Sequence, residues 1–169
     1  MKIIDDFLEL EKFTFLQQTM MSDTFPWFYR PTSAYEEDGV TQLVHVFYNY
    51  NLPNKVNSSR IEILDPVLKK LNAIALVRIK ANLTYPNKKA EFVHADFNYK
   101  NLKTGLYYLN TNDGGTKIKD KFVKSVANRM VIFPAATPHT VVRHMDPNIG
   151  RFIINFNYYE DSLEGPKWV

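Results

Sequence analysis

From residue 73 onward the chain is a succession of short apolar or alternating runs, and this constrains its fold more than any other feature. The runs read IALVRIKANL, AEFVHADF, TGLYYLNT, GTKI, FVKSVA, RMVIFPA, HTVVRHM and RFIINFNYY. Between them lie segments of turn chemistry: YPNKK, NYKNLK, NDGG, KDK, AN and DPNIG. These are eight short strand-like runs in about ninety residues. They predict a jelly roll, or double-stranded β-helix, of two facing antiparallel sheets. Composition agrees: 12 Phe and 10 Tyr bring aromatics to 14% of the chain, and aromatic residues suit half-buried pleated surfaces.

The preceding part reads as support for that core. Phe7, Leu8, Phe13, Leu16 and Met20 form a near-helical stripe, with Asp5 or Asp6 available to cap it. FPWFYRP is bracketed by prolines and predicts a short extended segment, and VTQLVHVFYNY a strand. SSRIEILDPVLKKLN predicts a second helix, buried through Ile61, Leu64, Leu68 and Leu71. Pro66 either divides it or opens a new first turn behind Asp65. The expectation is one domain over 1–169, residues 1–72 supporting a jelly-roll core over 73–160 and both helices packed on one sheet.

Several classes of function are excluded or disfavoured. With no cysteine there are no disulfides, thiolate metal sites or cysteine nucleophiles. Net charge is +3, and the densest basic run, TKIKDKFVK, alternates with apolar residues as the outer face of strands does. Without zinc-finger spacing or an arginine-rich arm, no nucleic-acid partner is expected. No window approaches a membrane span, and MKIIDDFLEL carries acids where a leader needs an apolar run. A cytoplasmic protein with no membrane partner is the expectation, with monomer and homodimer both open.

Two His-x-Asp pairs stand out, His94–Asp96 in EFVHADF and His144–Asp146 in VVRHMDPNIG. On a strand, His94 and Asp96 project from one face, as two ligands of one metal must. Asp146 precedes a proline and reads as a turn former, so the second pair is assigned to a loop. His45, in LVHVF, reads as a satisfied core or cleft residue. His139 supplies a third ligand from the start of another strand. Two imidazoles and one carboxylate, His94, Asp96 and His139, are the donor set of non-haem Fe(II) oxygenases, which keep the remaining positions open. A closed structural zinc site would need a fourth ligand, and none is evident. Arg151 lies twelve residues beyond His139 and opens RFIINFNYY. A hairpin at DPNIG would set it on a strand antiparallel to that of His139, with its guanidinium fork available to a carboxylate.

This order of motifs resembles the Fe(II)/2-oxoglutarate-dependent dioxygenases, most closely their prolyl 4-hydroxylase-like branch, including small phage-encoded members. TYPNKKAEFVHADF, LYYLNTNDGGT, RMVIFPAATPHTV and RFIINFNY are similar to that branch's blocks, in order, across 74–159. The resemblance implies Fe(II) on His94, Asp96 and His139, and Arg151 on the distal carboxylate of 2-oxoglutarate. It implies Tyr108 as the tyrosine that reaches the cosubstrate, with Tyr107 facing away, the register deciding between them. Asn82, sharing a strand face with Arg78 and Lys80, is a candidate cosubstrate neighbour. O2 is the second cosubstrate, succinate and CO2 the products, and ascorbate a supporting reductant. Ile153 stands where many relatives place Ser or Thr, so Tyr108 or another hydroxyl must supply the missing donor. Asp96 argues against a halogenase, which lacks that carboxylate. The implied reaction is hydroxylation of an unactivated C–H on a peptide or protein, prolyl included, or on a small molecule. The aromatic loops FPWFYRPTSAYEED and YNYNLPNKVNSS are expected at the mouth of the site. The alternatives are a non-catalytic metal-binding jelly-roll module and a cupin-like O2 enzyme that does not use 2-oxoglutarate.

Overall fold

The computed structural model describes residues 1–32, 41–86 and 92–161. Its strands are β1 (Lys2–Ile4), β2 (Phe28–Arg30), β3 (Gln42–Asn49), β4 (Ala73–Thr84), β5 (Lys103–Tyr108), β6 (Gly115–Ile118), β7 (Lys121–Lys124), β8 (Arg129–Pro134), β9 (His139–Val142) and β10 (Arg151–Glu160). The helices are α1 (Leu10–Met20) and α2 (Asp65–Leu71), the latter preceded by a 3-10 turn at Ile61–Leu64. The strands form two antiparallel sheets. One has seven strands in the order β1-β8-β5-β10-β4-β3-β2, the other three in the order β7-β6-β9. Consecutive strands change sheet repeatedly, as in a jelly roll.

Alternation along the strands builds two cores. Ile79 and Ala81 of β4, Tyr107 of β5, and Ile154, Phe156 and Tyr158 of β10 face outward from the large sheet. There they meet Phe13, Leu16 and Met20 of α1 and Leu64, Val67 and Leu71 around α2. The opposite parity, Leu106, Tyr108, Val131, Phe133 and Ile153, faces the small sheet and closes on Ile118 and Val123. Each such fully buried apolar side chain contributes about 1.5–3 kcal/mol. The inner face of β10 departs from the apolar rule, because Arg151, Asn155 and Asn157 share it with Ile153 and all are buried. A row of buried polar groups between sheets costs stability unless it is paired, and it marks where the site lies.

Several expectations are corrected. Residues 2–4 pair with β8 as a strand, and α1 begins only at Leu10; Phe7 and Leu8 are buried in the turn before it. Asp6 does not cap the helix: it sits at φ 47°, and the segment is held instead by Asn128, which bonds both Leu8 N and Leu8 O. The second helix splits at Pro66, which occupies the first turn of α2 behind Asp65. The described part of AEFVHADF, residues 92–97, is not a strand. Among its described residues only His94 makes a bridge, to His139, and the chain bends at Asp96. β9 and β10 are not a hairpin: β9 pairs with β6, while β10 lies between β4 and β5. The DPNIG segment carries the chain from one sheet to the other, so Arg151 lies on the sheet facing that of His139, opposite Gly115 and Thr116, rather than beside it. The TSAYEEDG loop (apart from its first residue), most of YPNKK and Glu91 lie outside the described residues.

Candidate functional site

A cavity of about 330 Å³ opens between the sheets. His94, Asp96 and His139 line it at one end and Arg151 and Thr116 at the other, with Lys80, Asn82 and Thr84 along the β4 wall. Ligand atoms of His94, Asp96 and His139 all lie within 4.8 Å of one another. The two histidines are locked by a reciprocal backbone pair, His94 N to His139 O at 2.9 Å and His139 N to His94 O at 2.8 Å. Their ring centroids are 4.6 Å apart.

Each ring is also oriented by its own backbone. Nδ1 of His94 lies 3.2 Å from Phe92 O, and Nδ1 of His139 lies 3.0 Å from Thr137 O. A carbonyl only accepts, so in both rings Nδ1 carries the proton and Nε2 presents a lone pair to the cavity. Burial, then the neighbouring His139, lowers the pKa of His94 and favours this neutral, ligating form.

Asp96 is held by groups from three strands. Arg78 of β4 pairs with it at 2.8 Å, Thr104 of β5 donates at 2.9 Å, and Asn155 and Asn157 of β10 donate at 3.1 and 3.0 Å. Burial alone would push its carboxyl up; the Arg78 guanidinium and the Asn155 and Asn157 amides outweigh it and hold the pKa at about 2. The carboxylate is thus ionised and fixed in orientation, as an oxygen ligand needs. Two neutral imidazoles and one oriented carboxylate suit a divalent cation such as Fe(II), so the residues present fit the metal that the donor set implies.

The far end of the cavity is built around Arg151, 1% exposed. Its guanidinium donates to Ser125 Oγ at 3.1 Å, Thr116 Oγ1 at 3.2 Å and Gly115 O at 3.3 Å, and lies 5.4 Å from the Tyr108 ring centre. Tyr108 is on the inner face and Tyr107 on the outer, as the register argument required. Yet Tyr108 does not line the cavity: its hydroxyl donates to Thr116 Oγ1 at 2.7 Å. Thr116 therefore accepts from both Tyr108 and Arg151, which turns its own proton toward the cavity. Among the described residues, the buried hydroxyl of Thr84, opposite Arg151 in the β4–β10 register, has no hydrogen-bond partner, and neither does the amide oxygen of Asn82. Two hydroxyls beside a buried guanidinium fit a carboxylate, and they replace the donor that Ile153 lacks.

Sequence reasoning missed Thr84, Thr104, Thr116, Ser125, Asn155 and Asn157. Parity held the signal for two of them: in RFIINFNYY, Asn155 and Asn157 share the face of Arg151. The remaining histidines are elsewhere. His45 is a satisfied core residue, its nitrogens bonded to Pro26 O and Ser58 Oγ, and His144 is fully buried outside the cavity. Of the aromatics expected at the mouth, Trp27 packs on Phe152 against the outer core, while Phe28 and Tyr29 are exposed; none of the three lines the cavity.

No protein-family model matches this sequence, and no curated protein matches it either. Solved structures do match over nearly the whole chain. A 2OG-Fe(II) oxygenase family oxidoreductase from Burkholderia pseudomallei superposes with a TM-score of 0.66 at 12% identity, covering 93% of this chain and 82% of that one. A prolyl hydroxylase from Trichoplax adhaerens, in complex with a hypoxia inducible factor oxygen degradation domain peptide fragment, gives 0.60 at 17% identity and 94% and 83% coverage. A prolyl-4-hydroxylase from Pseudomonas putida gives 0.59 at 14% identity and 94% and 91% coverage. The chain has the fold of the 2-oxoglutarate- and Fe(II)-dependent oxygenases, prolyl hydroxylases among them.

Proposed function

We propose that this protein is a 2-oxoglutarate- and Fe(II)-dependent dioxygenase that hydroxylates an unactivated C–H, with a peptidyl substrate, prolyl included, as the leading class. One observation carries the reading: a two-histidine, one-carboxylate set and a buried arginine with unspent hydroxyls occupy opposite ends of one cavity. Arg151 and Asn155 are four residues apart on β10, about 13 Å of strand. A short dicarboxylate can bridge such ends, and a binding module needs no second end.

In this reading His94, Asp96 and His139 hold Fe(II) through Nε2, a carboxylate oxygen and Nε2. Arg151, Thr116 and Thr84 take the distal carboxylate of 2-oxoglutarate, and Tyr108 fixes Thr116. Bound iron with its cosubstrate supplies the O2 activation that no side chain can. The protein's share is orientation: the backbone carbonyls keep each Nδ1 protonated, the Asp96 cluster keeps the carboxylate ionised, and Leu106, Val141 and Ile153 on the wall keep water out. The Trichoplax enzyme, of the same fold, is solved in complex with a peptide fragment, which supports a peptidyl substrate here.

The test is anaerobic titration of the apo-protein with Fe(II) and then 2-oxoglutarate, following the visible band of a chelated keto acid. The expected result is a band that disappears in Asp96→Ala. In Arg151→Ala it should need more 2-oxoglutarate, by about 2–5 kcal/mol of binding free energy. Bound iron without a band, or an Arg151→Ala protein with unchanged cosubstrate affinity, would overturn the reading.

A further inference from the structure

Charge on the cavity wall carries the argument beyond the cosubstrate, on the premise of the reading above. Five cationic side chains line the cavity, Arg30, Arg78, Lys80, Arg143 and Arg151, against one carboxylate among the described residues, Asp96. Fe(II) and 2-oxoglutarate carry opposite and equal charges, so loading both leaves this excess intact. Arg78 is committed to Asp96 and Arg151 sits at the far end. Arg143 has partners of its own, so the remaining excess centres on Arg30 and Lys80.

Lys80 is the centre of it. On β4 it lies in register between Val46 of β3 and Asn155 of β10, and Asn155 is one of the amides holding Asp96. The lysine therefore stands next to the metal end of the cavity, four residues along β4 from Thr84 and the Arg151 end. Among the described residues its ammonium makes no hydrogen bond or ion pair. Burial, then Arg78 and Arg30, lowers its pKa to about 8. An ammonium half out of water, facing other cations and without an acceptor, is costly, and an anion in the cavity removes that cost. Arg30 on the exposed edge strand β2 and Arg143, whose Nη1 donates to Tyr85 O, extend the positive field to the cavity wall around it.

We propose that the substrate carries an anionic group, a carboxylate or a phosphate, that seats against Lys80 beside the metal ligands, and that Lys80 determines specificity for it. The anion is borne by a free small acid or by an acidic or phosphorylated side chain of a peptide. Both offer the same oxygen acceptors to the ammonium.

Calorimetric titration of the Mn(II)-loaded protein, with and without saturating 2-oxoglutarate, tests this with matched probes. The pairs are N-acetylglutamate against N-acetylglutamine, O-phosphoserine against serine, and acetyl-Ala-Pro-Glu-amide against acetyl-Ala-Pro-Gln-amide. The expected result is that the charged member of at least one pair binds about tenfold or more tighter than its neutral partner. Lys80→Met should erase that preference and Lys80→Arg retain part of it, while the affinity for 2-oxoglutarate stays at the parent value in both. A preference confined to the peptide pair assigns the anion to a side chain, and one in the other pairs assigns it to a free acid. Charged and neutral members binding alike, or a preference that survives Lys80→Met, would overturn the proposal. So would a Lys80→Met protein that loses 2-oxoglutarate affinity as Arg151→Ala does, since the lysine would then serve the cosubstrate. A protein that takes up no 2-oxoglutarate but still prefers acids through Lys80 would refute the oxygenase reading and leave the anion site standing.

Discussion

His94–Asp96 and His144–Asp146 share a spacing, and the fold sends them to opposite environments. His94 faces His139 across a two-bond bridge, and Asp96 sits with its side chain 4% exposed among Arg78, Thr104, Asn155 and Asn157. His144 is wholly buried, neither ring nitrogen hydrogen-bonded among the described residues, and Asp146 spends its carboxylate on Asn148 N at 2.9 Å, closing its own turn. The backbone around the second pair is closely packed: a Cβ on Gly114 would stand 2.6 Å from His144 N. Spacing alone therefore does not make a metal site. What separates the pairs is whether strands from elsewhere in the chain supply a third ligand and donors that orient the carboxylate.

The sharpest way to break this comparison is to remove each carboxylate in turn and titrate with Mn(II) or Co(II). Asp96→Asn should lose about a hundredfold or more in metal affinity, while Asp146→Ala should lose none; equal losses would mean the pairs are not distinct. A smaller effect is expected from Thr104→Val, which keeps the shape but removes the hydroxyl 2.9 Å from Asp96. Metal affinity should fall about tenfold there, and an unchanged value would mean the donors around Asp96 do not orient it. His144→Ala should leave metal affinity alone and destabilise by about 2–4 kcal/mol in denaturant unfolding, through the cavity it opens. His144→Leu should recover most of that, because nitrogens without partners lose nothing when replaced by apolar atoms. The smallest change is the stability cost of Asp146→Ala, about 1 kcal/mol or less for the loss of a turn bond.

How legible the site was depends on the residue. The triad and Arg151 could be picked out because ligand chemistry limits the residue types. Parity put Tyr108 on the inner face, but its hydroxyl is taken by Thr116 on the facing sheet, and it is Thr116 that lines the cavity. Thr116 and Thr84 were not legible as site residues, because a threonine in a strand is ordinary until its neighbours are known. Asn155 and Asn157 were visible by parity once β10 was drawn, and nothing local tied them to an aspartate 59 and 61 residues away.

By itself the sequence determined what is periodic or chemically restricted. Alternation fixed which face each strand residue takes, since successive side chains point to opposite sides. Seven of the eight runs expected after residue 73 are strands for that reason. The absence of cysteine and the donor types limited which metal the candidate site could take. Only the tertiary structure decided which strands meet. AEFVHADF reads as a strand, but its described residues make one bridge and bend at Asp96, where donors from β4, β5 and β10 compete for the carboxylate. The DPNIG segment reads as a hairpin, but β10 finds its hydrogen-bond partners in β4 and β5, burying Ile154, Phe156 and Tyr158 against the helices. Local patterns set orientation within a strand; pairing is set by the apolar surface that the assembled sheets bury together, a sum over residues far apart in the chain.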